Sequence, residues 1–97
     1  MRVEKDGNMT WYYGEGEHAS LRACVTKSGE GYYVHAIWPD PIGGSRMGGY
    51  GELEPIALDE ATDLATRFVT GKRVPEELGG YDDNGPPAQR RPEVAND

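Results

Sequence analysis

The chain has 97 residues, enough for one hydrophobic core. Ten basic and 17 acidic side chains give a formal net charge of −7, which disfavours direct binding to nucleic acid or to anionic membranes. The single cysteine, Cys24, excludes an internal disulfide, and no apolar run approaches the roughly 20 residues that span a bilayer. Residues 1–6 also lack the apolar core of a signal peptide, so we expect a cytoplasmic protein.

The first predicted strand covers residues 9–13. Trp11, Tyr12 and Tyr13 favour β-structure, and they follow a turn-forming segment at residues 6–8. Residues 14–17 then predict a second turn.

A hairpin formed by residues 19–27 and 32–38 is the strongest local signal. The intervening Ser28-Gly29-Glu30-Gly31 places a glycine at the first central position of a two-residue type II′ turn. On one face this register pairs apolar residues, namely Val25 with Val34, Ala23 with Ala36, and Leu21 with Trp38. On the other, half-polar face it pairs Arg22 with Ile37, Cys24 with His35, and Thr26 with Tyr33. Because a one-residue slip would exchange the two faces, the apolar matching supports the turn assignment.

Two prolines, Pro39 and Pro41, end this hairpin, since proline lacks the backbone donor that a sheet requires. Residues 43–51 predict a glycine-rich loop. Residues 50–56 then predict a short fourth strand at the edge of the sheet.

The spacing of apolar residues changes to a helical period over residues 58–69. The apolar positions of this predicted helix are Ala61, Leu64, Ala65 and Phe68. We expect Leu64 and Phe68 to pack on the apolar face of the hairpin. One further helical turn is predicted near residues 75–78, and Gly79 ends it.

These elements predict an α+β domain over residues 1–81, in which an antiparallel sheet of three to four strands packs on one helix. Residues 82–97 are polar and rich in proline, and they offer nothing to bury. We therefore expect a disordered tail there.

Neither a catalytic site nor a metal site is strongly indicated by the sequence. Cys24 and His35 would be cross-strand neighbours, which is how a thiol can be activated, but the sequence supplies no third orienting group. The possible zinc ligands are Glu15, Glu17, His18 and His35, yet their spacing matches no metal motif. We expect no enzymatic activity, no cofactor and no metal.

Three regions supply candidate partner-binding residues: the half-polar sheet face, the glycine-rich loop and an acidic cluster. Exposed aromatic residues often anchor protein interfaces, and loops often carry binding residues. The acidic residues either form a solvated face or, on one side of the fold, imitate phosphates towards a basic groove. The candidates are Arg22, Tyr33, Ile37, Arg46, Met47, Tyr50, Glu52, Glu54, Asp59, Glu60 and Asp63.

The order of strand, hairpin, short strand, helix and then acidic tail resembles that of small accessory proteins of phages and mobile elements, among them anti-CRISPR proteins, and the resemblance covers residues 9–70. The resemblance is architectural, and no family motif carries it. It implies an inhibitor that occupies a nucleic-acid-binding surface of a target protein, so the expected partner is a protein with a basic surface. The alternative is a small nucleic-acid-binding module that uses Arg22, Tyr33 and Arg46. A homodimer through the sheet edge or the exposed sheet face also stays open.

Overall fold

The computed structural model describes residues 1–79. Within them, five antiparallel strands form one sheet in chain order. The strands are β1 (Arg2–Asp6), β2 (Met9–Tyr13), β3 (Arg22–Ser28), β4 (Gly31–Pro39) and β5 (Ser45–Tyr50). One α-helix, α1 (Leu58–Val69), and two short 3₁₀ helices, Gly16–His18 and Glu76–Leu78, complete this part of the chain. The fold is α+β, and the predicted tail at residues 82–97 lies outside the described residues.

Glycine-containing turns set the register of two hairpins. Asp6 pairs with Met9 around Gly7, and Ser28 pairs with Gly31 around Gly29. The two central glycines have φ values of 60° and 57°, whereas no residue other than glycine has a positive φ. A positive φ at the first central position alone defines a type II′ turn, whose twist suits a hairpin. The predicted turn and the predicted β3–β4 register are confirmed.

The core lies between α1 and one face of the sheet. Val25, Val34 and Ala36 are at most 2% exposed, and they face the helix. From α1, Phe68 is fully buried, and its ring centroid lies 5.9 Å from that of Trp38. The helix therefore covers the face that the apolar matching predicted.

The predicted bounds of α1 are confirmed, and its C-terminus is capped by a glycine. Gly71 has a φ of 77°, and the N–H of Lys72 donates to the carbonyl of Arg67 at 2.8 Å. This pattern satisfies carbonyls that the end of the helix would otherwise leave unpaired. Within residues 1–79, no helix is long and apolar enough to cross a bilayer.

The prediction of three to four strands was wrong, because the sheet has five. Strand β1 consists of five exposed residues with little apolar signal. Strand β5 occupies positions that the sequence analysis assigned to the glycine-rich loop. The predicted fourth strand at residues 50–56 is instead a bend, which rejoins the sheet through a single bridge between Ile56 and Tyr32.

Candidate interaction surface

The sheet face opposite α1, which we call the open face, is not covered by any helix or strand of residues 1–79. Its side chains form rows that run across the strands, because directly paired residues point to the same side. One row joins Arg2, Tyr13, Arg22, Ile37 and Met47. The next rows add Glu4, Trp11, Cys24, His35, Met9, Thr26 and Tyr33.

Two arginines and two aromatic rings form a continuous strip on this face. The guanidinium carbon of Arg2 lies 4.3 Å from the ring centroid of Tyr13, and that of Arg22 lies 6.0 Å from the ring of Trp11. The two rings stack with centroids 6.3 Å apart. Cation–π contacts at these distances hold long side chains in place on an exposed surface. The strip therefore presents cationic and aromatic groups side by side on the open face.

A second cluster lies towards β5 and contains Tyr33, His35 and Glu52. The rings of Tyr33 and His35 meet edge to face at 4.9 Å, and His35 Nε2 lies 3.4 Å from Glu52 Oε2. Gly49 pairs with His35, and a β-carbon at that position would lie 2.2 Å from Glu52 Oε1. Glycine is required here so that the carboxylate of Glu52 can lie beside the imidazole.

The structure brings some predicted site residues together and separates others. Arg22, Tyr33, Ile37 and Met47 share the open face, and Glu52 adjoins it. The remaining candidates lie outside the open face.

Tyr50 packs against the core, and Glu54 is exposed in the bend after β5. Arg46 pairs with Trp38 in the sheet, and its Nε lies 2.8 Å from Asp40. The acidic residues of α1 are exposed on the other layer of the fold, namely Asp59, Glu60 and Asp63. The acidic helix and the aromatic sheet face thus cannot contact one flat partner surface together.

Sequence reasoning did not assign Arg2, Trp11 and Tyr13 to the site. The alternation along β2 places both of these aromatic residues opposite Tyr12, which is buried in the core. The alternation is visible in the sequence, but which of the two faces of β2 points away from α1 depends on the pairing of β2 with β3. Arg2 lies on β1, a strand that the apolar pattern did not predict.

The thiol of Cys24 lies beneath this surface. Cys24 is 1% exposed, and its Sγ lies 3.5 Å from Thr26 Oγ1. Burial raises the pKa of the Cys24 thiol, with a smaller opposing effect from the hydrogen bond to Thr26. The nucleophilic thiolate is therefore disfavoured.

The imidazoles of the two histidines lie next to different carboxylates. His18 Nε2 is 3.4 Å from Glu17, whereas His35 contacts Glu52. Within the described part of the chain, no three His, Cys, Asp or Glu residues are grouped in a way that could hold a metal ion.

Comparison of the chain with protein-family models, with curated proteins and with solved structures found no match. The geometry of the open face is accordingly the basis on which a function can be argued.

Proposed function

We propose that this chain is a non-catalytic protein-binding module, acting as an inhibitor or accessory protein, and that it binds its partner through the open face. The observation that carries the proposal is the contrast between the two faces of the sheet. One face is sealed by α1, while the other presents half-buried Trp11, Tyr13 and Tyr33 with exposed Met47.

The size and chemistry of the open face suit a protein partner. With strands about 4.8 Å apart and a rise of about 3.3 Å per residue, it spans on the order of 300 Å² of mixed aromatic, aliphatic and charged surface. Aromatic side chains anchor protein interfaces because they bury much area at little entropic cost. The net charge of −7 would steer a basic partner towards the protein, so we expect affinity to fall as salt rises.

Two matched substitutions test this proposal. Met47→Glu adds a charge to the open face, where Met47 is 65% exposed, and Leu58→Glu adds the same charge at the start of α1, where Leu58 is 50% exposed. Proteins captured from a host lysate by the wild-type chain would be purified and titrated against all three forms. We expect Met47→Glu to weaken binding by at least about tenfold and Leu58→Glu by less than about twofold. The reverse order of effects would place the interface on the helix and refute the proposal.

The arginine–aromatic strip also favours a second candidate function, the binding of single-stranded nucleic acid. Bases stack on exposed aromatic rings, and arginines contact phosphates. Fluorescence anisotropy with labelled single-stranded DNA and RNA at low salt would detect such binding. Micromolar affinity that is lost in Arg22→Gln would favour this second function over the first.

A further inference from the structure

A cleft of about 280 Å³ lies where the open face meets the loop that precedes β3 and the adjoining ends of β4 and β5. Tyr13, Arg22 and Ile37 contribute its sheet side, and Ser20, Pro39 and Ser45 extend the same face beyond them. The cleft is therefore lined by one arginine and two serines beside aromatic and aliphatic residues. Such a mixture suits a ligand that is anionic at one point and apolar around it.

Arg22 is the positively charged residue of the open face that has no carboxylate partner among residues 1–79. Arg2, Arg46 and Arg67 each lie within 4.0 Å of a carboxylate, but Arg22 forms no ion pair with any of residues 1–79. Its guanidinium is exposed and contacts the indole of Trp11. A guanidinium positioned in this way presents donors that match the two oxygens of a carboxylate.

The number of unpaired positive charges on the open face determines whether its ligand is a single carboxylate or a polyanion. On the open face the charge of Arg2 is offset by Glu4 at 3.1 Å, and His35 already contacts Glu52. A nucleic acid requires several phosphates to be neutralised by several Lys or Arg residues. One free guanidinium on the open face of residues 1–79, in a chain of charge −7, meets the requirement of one carboxylate, not that of a phosphate backbone.

We infer that the cleft receives the side-chain carboxylate of an Asp or Glu in the protein partner, with Arg22 donating to its oxygens. The inference rests on the proposed function and names the chemistry of its partner. Tyr13 and Ile37 pack against the stem of that acidic residue. The row continues to Arg2 on one side and to the exposed Met47 on the other, so the partner segment extends past its carboxylate in both directions.

Random peptides displayed on phage and selected on the full 97-residue chain test the inference. We expect the selected peptides to share one acidic residue flanked by apolar ones. A synthetic peptide of that sequence and its Gln analogue would then be titrated against the wild type, Arg22→Gln and Arg67→Gln. Arg67→Gln is the matched control, because it removes the same charge on α1.

We expect Arg22→Gln and the Gln analogue each to weaken binding by about tenfold, and the two changes together to cost no more than either alone. Arg67→Gln should change affinity by less than about twofold. Circular dichroism would verify that Arg22→Gln is folded, and Arg22→Lys, which keeps the charge, should show an intermediate loss.

The outcomes separate this inference from the proposed function. Peptides that lose binding in Met47→Glu but not in Arg22→Gln would overturn the inference and leave the open face as a binding surface. A selection without any peptide that depends on Met47 would overturn both. Single-stranded oligonucleotides that bind through Arg22 would also overturn the inference, because they would show that the cleft takes a phosphate.

Discussion

Gly79 lies directly against the indole of Trp38, so that a β-carbon at position 79 would be 2.6 Å from Cη2 of the ring. Gly79 has a φ of 77° and ends the 3₁₀ helix Glu76–Leu78. The close approach holds this short helix against the end of the sheet. It thereby helps to seal the core on the side away from the open face.

Gly79→Ala should therefore lower the free energy of unfolding by about 3 kcal/mol, as the sum of left-handed backbone strain and a clash in the core. Gly16→Ala is the control, because Gly16 has a φ of 61° and nothing within 4 Å of a β-carbon. This control should lose only about 1 kcal/mol, from strain alone. Urea unfolding would measure both, and equal losses would show that contact with Trp38 is unimportant.

Two leucines allow the contribution of the 3₁₀ helix to the core to be measured. Leu78 is fully buried, whereas Leu53 is 99% exposed in the bend after β5. Leu78→Ala should destabilise the fold by about 2–5 kcal/mol through lost burial and a cavity, while Leu53→Ala should stay within about 0.5 kcal/mol. Thermal and urea unfolding of both variants check this. A small loss for Leu78→Ala would mean that the segment after α1 does not belong to the cooperative core.

Asp40 gives the β4–β5 connection a pH-dependent contribution to stability. Hydrogen bonds from Arg46 Nε at 2.8 Å and then from the Ile42 N–H at 3.0 Å lower the pKa of Asp40. Since the folded-state pKa is below the unfolded value, the carboxylate stabilises the fold above the unfolded pKa. That contribution is lost as the pH falls through the folded pKa.

The difference in unfolding free energy between the wild type and Asp40→Asn should thus be constant above about pH 5 and shrink at lower pH. Asparagine can still accept the hydrogen bond from Ile42, so the substitution removes mainly the charge facing Arg46. Urea titrations at a series of pH values would measure the difference. A difference that does not change, or that grows in acid, would contradict this role for Asp40.

The sequence predicted the parts of the fold in which a local pattern and burial agree. The β3–β4 hairpin and α1 were found because Val25, Val34 and Phe68 lie at positions that both a period and a core require. Strand β1 was missed because its apolar residue, Val3, is 49% exposed at the edge of the sheet. A charged edge strand protects the sheet against aggregation, but its sequence lacks the alternation of apolar and polar residues that predicts a strand.

Strand β5 and the set of residues on the open face depend on tertiary contacts, which no local sequence pattern shows. Gly48 and Gly49 were interpreted as loop residues, although the fold uses them where the backbone of Glu77 and the side chain of Glu52 approach the sheet. The sequence identified Arg22, Tyr33 and Ile37 as neighbours through the hairpin register. It could not show that the acidic residues of α1 lie on the opposite layer.

These two adjacent glycines of β5 supply a contrast between the two faces of the sheet. A β-carbon at Gly48 would lie 2.1 Å from the backbone oxygen of Glu77, whereas one at Gly49 would lie 2.2 Å from Oε1 of Glu52. The backbone of Glu77 cannot move without displacing the 3₁₀ helix Glu76–Leu78, but the exposed side chain of Glu52 can rotate away.

Gly48→Ala should therefore cost about 3 kcal/mol of unfolding free energy and Gly49→Ala less than about 1 kcal/mol. Gly49→Ala should also move Glu52 away from His35, which NMR would detect as changed chemical shifts of the imidazole protons. If both variants were equally destabilised, or if the imidazole chemical shifts were unchanged in a folded Gly49→Ala, the packing described for β5 would be incorrect.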